Sequence, residues 1–185
     1  MAKAKAKVAP PVKIPKVPTA PERVPRVVAN PTLDDHLRVI AKAVFQAGLS
    51  WAFIDARWES YLAAFENFAV AKVAQYDDAA RERLMQADGV IRSAAKINGI
   101  IHNALALQTI EREFGSIRAY QESLPDYAAA RKDAQKRFKY MGDLNVYYWR
   151  FLTGASVPPL EEWMKGQERD HPRMREMVTA AAASA

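Results

Sequence analysis

Gln46-Ala47-Gly48-Leu49-Ser50-Trp51 joins two segments of helical hydrophobic spacing, and its reading decides the fold. Before it, Leu37, Ile40, Val44 and Ala47 recur at three- and four-residue intervals, the period of one buried helix face. Thr32 or Asp34 can cap that helix, because a short side-chain oxygen accepts from the free amides of a first turn. Gly48 is expected to end it. A second helix starts near Ser50 and carries Ile54, Trp58, Tyr61 or Leu62, and Phe65 along one face. The junction therefore presents a small residue, an apolar tip and an indole where two helices meet.

Helical patterns continue outward from this junction. Asp77 and Asp78 can cap AARERLMQ, which stops before Gly89. A long helix from about Ser93 to Phe114 buries Ile97, Ile100, Ile101, Ala104, Leu105 and Ile110, and Gly115 closes it. A helix across Tyr127 to Arg137 leads into FKYMGD, where Gly142 permits a tight turn. Helix resumes from Leu144 to Leu152, up to Gly154, and Pro158 and Pro159 can open a last one through LEEWMKGQ. The closing VTAAAASA is expected to fray. No strand alternation and no internal repeat occur, so the expectation is an all-α domain of about eight short helices.

Composition narrows the chemistry. A chain of 185 residues holds one domain with a real core. It contains no cysteine, and His36, His102 and His171 are not at ligand spacing, so neither a metal nor a cofactor is expected. No apolar run is long enough for a bilayer, and MAKAKAK is not followed by an apolar segment, which points away from membranes and secretion and toward the cytoplasm. The net charge of +6 is carried by residues 1–30, where seven basic residues face only Glu22; the remainder is neutral. Six prolines in that stretch prevent a helix, so residues 1–30 read as an extended basic arm, either a phosphate-binding arm or a solubilising linker. Residues 31–170 form the helical domain, and 171–185 a terminal helix or frayed tail.

Three stretches carry a family resemblance. They are QAGLSW at 46–51; Gly89-Val90-Ile91-Arg92 with Lys96-Ile97 and Asn103-Ala104; and Phe138-Lys139-Tyr140-Met141-Gly142 with Tyr147 and Gly154. In this order and spacing, from about Val44 to Gly154, the sequence resembles the 3-methyladenine DNA glycosylase I family, of the helix-hairpin-helix DNA glycosylase superfamily. The resemblance implies an all-α glycosylase-like fold that acts on double-stranded DNA carrying a damaged base, as a monomer associated with the nucleoid.

Such an enzyme must extrude a base, fill the gap and hold the base in a pocket. Trp51 is the expected stacking surface, Gln46 and His36 further base-binding candidates, and Gly48 and Leu49 the loop that enters the stack. Gly142, with Lys136, Arg137 and Lys139 beside it, is the expected phosphate grip at a helix start. Each residue has a plainer reading: Trp51 and Leu49 as packing residues, Gly142 as a turn glycine, Arg92 and Lys96 as structural, Trp58 and Trp149 as core, and His102 with Asn103 as a satisfied polar pair.

The chain also departs from the family. A glutamate eight residues before the stacking tryptophan reads the alkylated base there; here that position is Ala43, and an alanine cannot accept from a purine edge. An aromatic segment with a Tyr-His pair and a Glu-Trp-Gly gives way to the Pro/Lys arm, and a zinc snap of two cysteines and two histidines cannot form. Candidates for the missing carboxylate are Asp35, Asp55 and Glu59. By the spacing of catalytic acids in the wider superfamily, about twenty residues beyond the hairpin glycine, Glu161 and Glu162 are candidates too. Acids in a first helical turn are, however, expected from the helix dipole alone. The leading reading is hydrolysis of the N-glycosidic bond of an alkylated or otherwise damaged base. The alternatives are a non-catalytic helix-hairpin-helix DNA-binding protein and a helical adaptor.

Overall fold

The structure, a computed structural model, describes residues 26–183, so most of the basic arm lies outside the described residues. Among them are eleven α-helices, one 3₁₀ turn and no strand. The helices are α1 (Leu33–Gln46), α2 (Trp51–Asp55), α3 (Trp58–Ala64), α4 (Val70–Val73), α5 (Asp78–Gln86), α6 (Ala94–Phe114), α7 (Ile117–Ser123), α8 (Tyr127–Arg137), α9 (Asp143–Leu152), α10 (Leu160–Met164) and α11 (Pro172–Ala182).

α1 is the central element, packed against both α6 and α9. Its start is fixed by a capping box: the Asp35 amide donates to Thr32 Oγ1 (3.2 Å) and the Thr32 amide to Asp35 Oδ2 (3.0 Å). Two otherwise orphaned amides are satisfied, worth about 1 kcal/mol for the cap. Leu37, Ile40, Val44 and Phe45 of this helix are fully buried. The longest helix, α6, begins on the Ser93 cap and ends on Gly115 in the left-handed conformation, as its sequence requires. Leu105, expected in its core, is instead 48% exposed.

The helix expected across 50–65 is two. α2 closes at Asp55 and α3 restarts at Trp58, with Arg57 bridging in a non-helical conformation. The break lets Trp58 stack on both Tyr61 and Phe68 while Trp51 turns toward α9. The C-terminal stretch is no loose tail up to Ala182: α11 buries Met174 and Met177 completely. At the other end, the Val28 amide donates to Leu152 O (2.8 Å), so the last arm residues are pinned to the domain.

Gly89 ends the α5 connection at φ +77°, and a Cβ there would lie 2.5 Å from Ser60 Oγ and 2.7 Å from its Cβ. Gly89→Ala is therefore expected to destabilise the fold by about 1–3 kcal/mol, through left-handed strain plus the clash, measurable as a lowered urea midpoint at unchanged slope.

Candidate functional site

The end of α1, the loop 47–50, the start of α2 and the first turns of α9 enclose a cavity of about 360 Å³. Ala43, Gln46, Gly48, Leu49 and Trp51 line one side, and Leu144, Asn145 and Tyr148 the other. Lys96 fixes the loop: its ammonium donates to Phe45 O (3.1 Å) and Ala47 O (2.7 Å), the open carbonyls at the end of α1. This is the structural role expected for it, and a cation suits that end of a helix dipole. Gly48 (φ +76°) has open space around it, and Leu49, 40% exposed, stands at the rim outside the core.

Trp51 is half-buried, with its ring edge-on to Tyr148 at 5.5 Å. Tyr148 is buried, and burial, aided by the nearby Asp55 carboxylate, pushes its phenol far above the ordinary value, so it remains a neutral donor. Asp55 is buried behind it and paired with Lys42 at 2.8 Å, while the Lys42 ammonium sits 5.2 Å above the Trp58 ring. Gln46 is the most telling residue. It is 3% exposed, and neither its Nε2 nor its Oε1 has a hydrogen-bond partner in the protein. An unpaired buried amide costs about 1–3 kcal/mol, so the wall of the cavity carries an unmet donor and acceptor.

Beside the cavity runs the hairpin that residues 138–142 form between α8 and α9. Asn103, fully buried, clamps it with two bonds: its Nδ2 donates to Lys139 O (3.1 Å), and the Lys139 amide to its Oδ1 (2.7 Å). His102 Nε2 meets Arg137 O at 2.9 Å, and Asn145 Nδ2 donates to Tyr140 O at 2.7 Å. The tight turn is made by Tyr140 at φ +61°, not by Gly142, whose φ of −64° any residue adopts. A Cβ at Gly142 would meet nothing, so the fold itself does not require glycine there. Gly142 caps α9 without any side-chain bond, leaving the first-turn amides free of side-chain caps. Arg137 does not add free charge, being paired with Glu113 and Asp133; Lys136 and Lys139 are exposed and in no ion pair among the described residues.

The other candidates lie elsewhere. His36 does not reach the Trp51 cavity: it is buried, its Nδ1 accepts from Trp149 Nε1 (3.0 Å), and it lines a second cavity. The seven residues to Ala43 amount to about 10 Å along the helix. Glu161 and Glu162 are exposed on α10, neither lines the Trp51 cavity, and Glu161 is paired with Arg175. Asp35 serves the α1 cap and Glu59 is exposed. Tyr148, and Lys42 as the partner of the candidate Asp55, escaped the sequence reading. The offset of Tyr148 from Gly142, which places it one helical turn beyond Leu144 on the same face, is the signal that could have found it.

Solved structures of DNA glycosylases share this all-helical frame. One described as 3-methyladenine DNA glycosylase I superposes with a TM-score of 0.58 at 28% identity, over 69% of this chain and 81% of that one. A second, from Staphylococcus aureus, gives 0.60 at 24% identity, which bears on the fold alone, over 69% and 80%. The chain belongs to the methyladenine glycosylase family, whose profile it matches over residues 31–143. DNA-3-methyladenine glycosylase 1 of Escherichia coli (strain K12) is 43% identical over 67 residues, and the Haemophilus influenzae DNA-3-methyladenine glycosylase 39% over 67, in each case 36% of both chains. The match thus spans about a third of the length of these curated relatives.

Proposed function

We propose that the protein excises an alkylated base from double-stranded DNA by hydrolysing its N-glycosidic bond after flipping the base into the Trp51 cavity. The observation that carries this reading is Gln46, a buried amide without a partner on the wall of a cavity faced by an indole. Leu49 at the exposed rim fills the gap left in the stack, and Gly48 lets the backbone approach. The first-turn amides of α9, with Lys136 and Lys139, hold a phosphate on the same helix whose next turn walls the cavity.

A cationic alkylated base stacks well on an indole face, and its glycosidic bond is already weakened by the charge. Among the described residues no carboxylate lines the cavity, so the reading rests on departure of that base, with the Gln46 amide and the Tyr148 phenol reading its edge. Glu161 and Glu162 take no part in it. The enzyme is taken to act as a monomer; no described helix is long and apolar enough to cross a membrane.

The test is base release from methylated DNA at enzyme excess, resolved by chromatography. Liberated 3-methyladenine supports the proposal; no free base from any of several lesions would remove it. One observation favours a second reading, a DNA-binding protein without catalysis: the buried Ala43 methyl stands where the resemblance places the recognition glutamate. Intact DNA binding with no base release would establish that alternative. In a catalytic protein, Ala43→Glu is expected to raise 3-methyladenine release about tenfold, the worth of one charge-assisted hydrogen bond, as measured in single-turnover kinetics.

A further inference from the structure

A second cavity, of about 800 Å³, lies at the opposite ends of α1 and α9 from the first. His36, Arg150 and Gln121 are its buried polar walls, and the start of α7 and the loop 153–156 complete it. Arg150 is 4% exposed. Its Nε donates to Ser156 O (3.1 Å), yet among the described residues no carboxylate lies within ion-pairing distance of its guanidinium. Buried arginines are ordinarily paired, because a desolvated charge without a counterion is costly. Burial pulls its proton affinity down, but a guanidinium keeps its charge throughout the accessible range.

A second donor faces the same space. The Trp149 indole nitrogen can only donate, and it donates to His36 Nδ1; the imidazole proton is therefore on Nε2, which has no partner among the described residues. Gln121 adds a third polar group, held only by a long 3.5 Å contact to Thr153 Oγ1. The cavity thus offers donors and one uncompensated positive charge. Its rim carries the exposed Glu111, Glu122 and Asp126 together with Arg118, so that, counted with Arg150, the surroundings are one unit negative. A dianion would meet about twice the long-range repulsion that a monoanion meets there, so direct contact with the guanidinium favours a single negative charge.

We propose that this cavity binds a small organic carboxylate, held by the Arg150 guanidinium and the His36 Nε2–H. Arginine matches a carboxylate with two parallel donors, and the polar, half-enclosed walls accommodate a ring or short chain behind it. The site is separate from the Trp51 cavity, and the proposal stands whether or not the protein releases bases.

The test uses the full chain, titrated with benzoate and separately with inorganic phosphate at pH 7, while the indole N–H signals are followed by nuclear magnetic resonance. Trp149 is the reporter, since an acceptor on His36 Nε2 alters the imidazole that its indole contacts. The expected result is saturable movement of the Trp149 signal with benzoate, with Trp51 unmoved. Arg118→Glu, an exposed change that leaves the core intact, should weaken benzoate at least fivefold, and Arg150→Gln should abolish the response. Movement at Trp51 in place of Trp149, no saturable movement, or equal affinity in Arg118→Glu overturns the site. Phosphate binding as tight as benzoate overturns the carboxylate assignment.

Discussion

Replacing Trp51 by alanine is expected to slow single-turnover release of 3-methyladenine at least a hundredfold while leaving the protein folded. The indole forms one wall of the cavity and stands edge-on to Tyr148, so its loss removes the face on which a flipped base would rest. Stacking of a base on an aromatic ring is worth about 1–3 kcal/mol, and cation–π attraction adds up to about 2 for a desolvated cation. A hundredfold loss corresponds to about 2.7 kcal/mol, within that range. Trp51→Phe keeps an aromatic face and should recover most of the rate, which a merely structural residue would not require. Because Trp51 is half-buried, unlike the fully enclosed Trp149, the alanine variant should unfold at a urea midpoint close to that of the parent chain. An undiminished rate in Trp51→Ala would place the base elsewhere.

Why the sequence revealed some of this and not the rest follows from where each signal is written. The ends of α1 and α6 are marked locally, by Thr32, Ser93 and Gly115, and these are where the chain turns in the structure. The break between α2 and α3 has no such mark: Ala56 and Arg57 are acceptable helix residues, and the interruption follows from packing Trp51 and Trp58 in different directions. Glu66, Asn67 and Phe68 all take positive φ without a glycine, supported from afar by the Arg38 guanidinium on Asn67 O (3.1 Å). Left-handed residues other than glycine cost about 1 kcal/mol or more each, so this turn exists only because tertiary contacts hold it.

The candidate site divides in the same way. Gln46, Gly48, Leu49 and Trp51 are neighbours in sequence, so one short motif names them together. Tyr148 reaches the cavity from another helix and reads in the sequence as an ordinary position on a buried face, whereas Asp55, a carboxylate candidate on the same short helix as Trp51, is held in its pair with Lys42. The placement of His36 shows the limit of face matching. It shares a face with Ala43, but a helix face extends along an axis, and the two residues serve different cavities.

Lowering the pH from 7 to 4 is expected to remove about 3 kcal/mol of stability through His36 alone. Burial, the dominant influence, brings its pKa down from the ordinary 6.5 to about 4, with the neighbouring Asp35 charge opposing only in part. Above pH 6.5 the imidazole is neutral both folded and unfolded, and it contributes nothing to the pH dependence. Between 6.5 and 4 the unfolded chain takes up a proton that the folded chain refuses, so stability falls by up to about 1.4 kcal/mol per unit as pH decreases. Below 4 the folded form is protonated as well and the loss levels off. The carboxylates behave differently. Asp143 titrates below its usual value, because bonds from Gln167 and Tyr127 and the Arg131 charge outweigh the opposing effect of burial, so its loss begins only at lower pH. His36→Gln separates the two effects. It keeps an acceptor for the Trp149 indole and cannot titrate, so its urea stability should decline less steeply between pH 6.5 and 4 than that of the parent chain. Its absolute stability at pH 7 is expected to be lower, since a flexible amide fills the imidazole site less well. The difference between the two curves therefore narrows as the pH falls, and parallel curves would show that His36 is protonated in the fold.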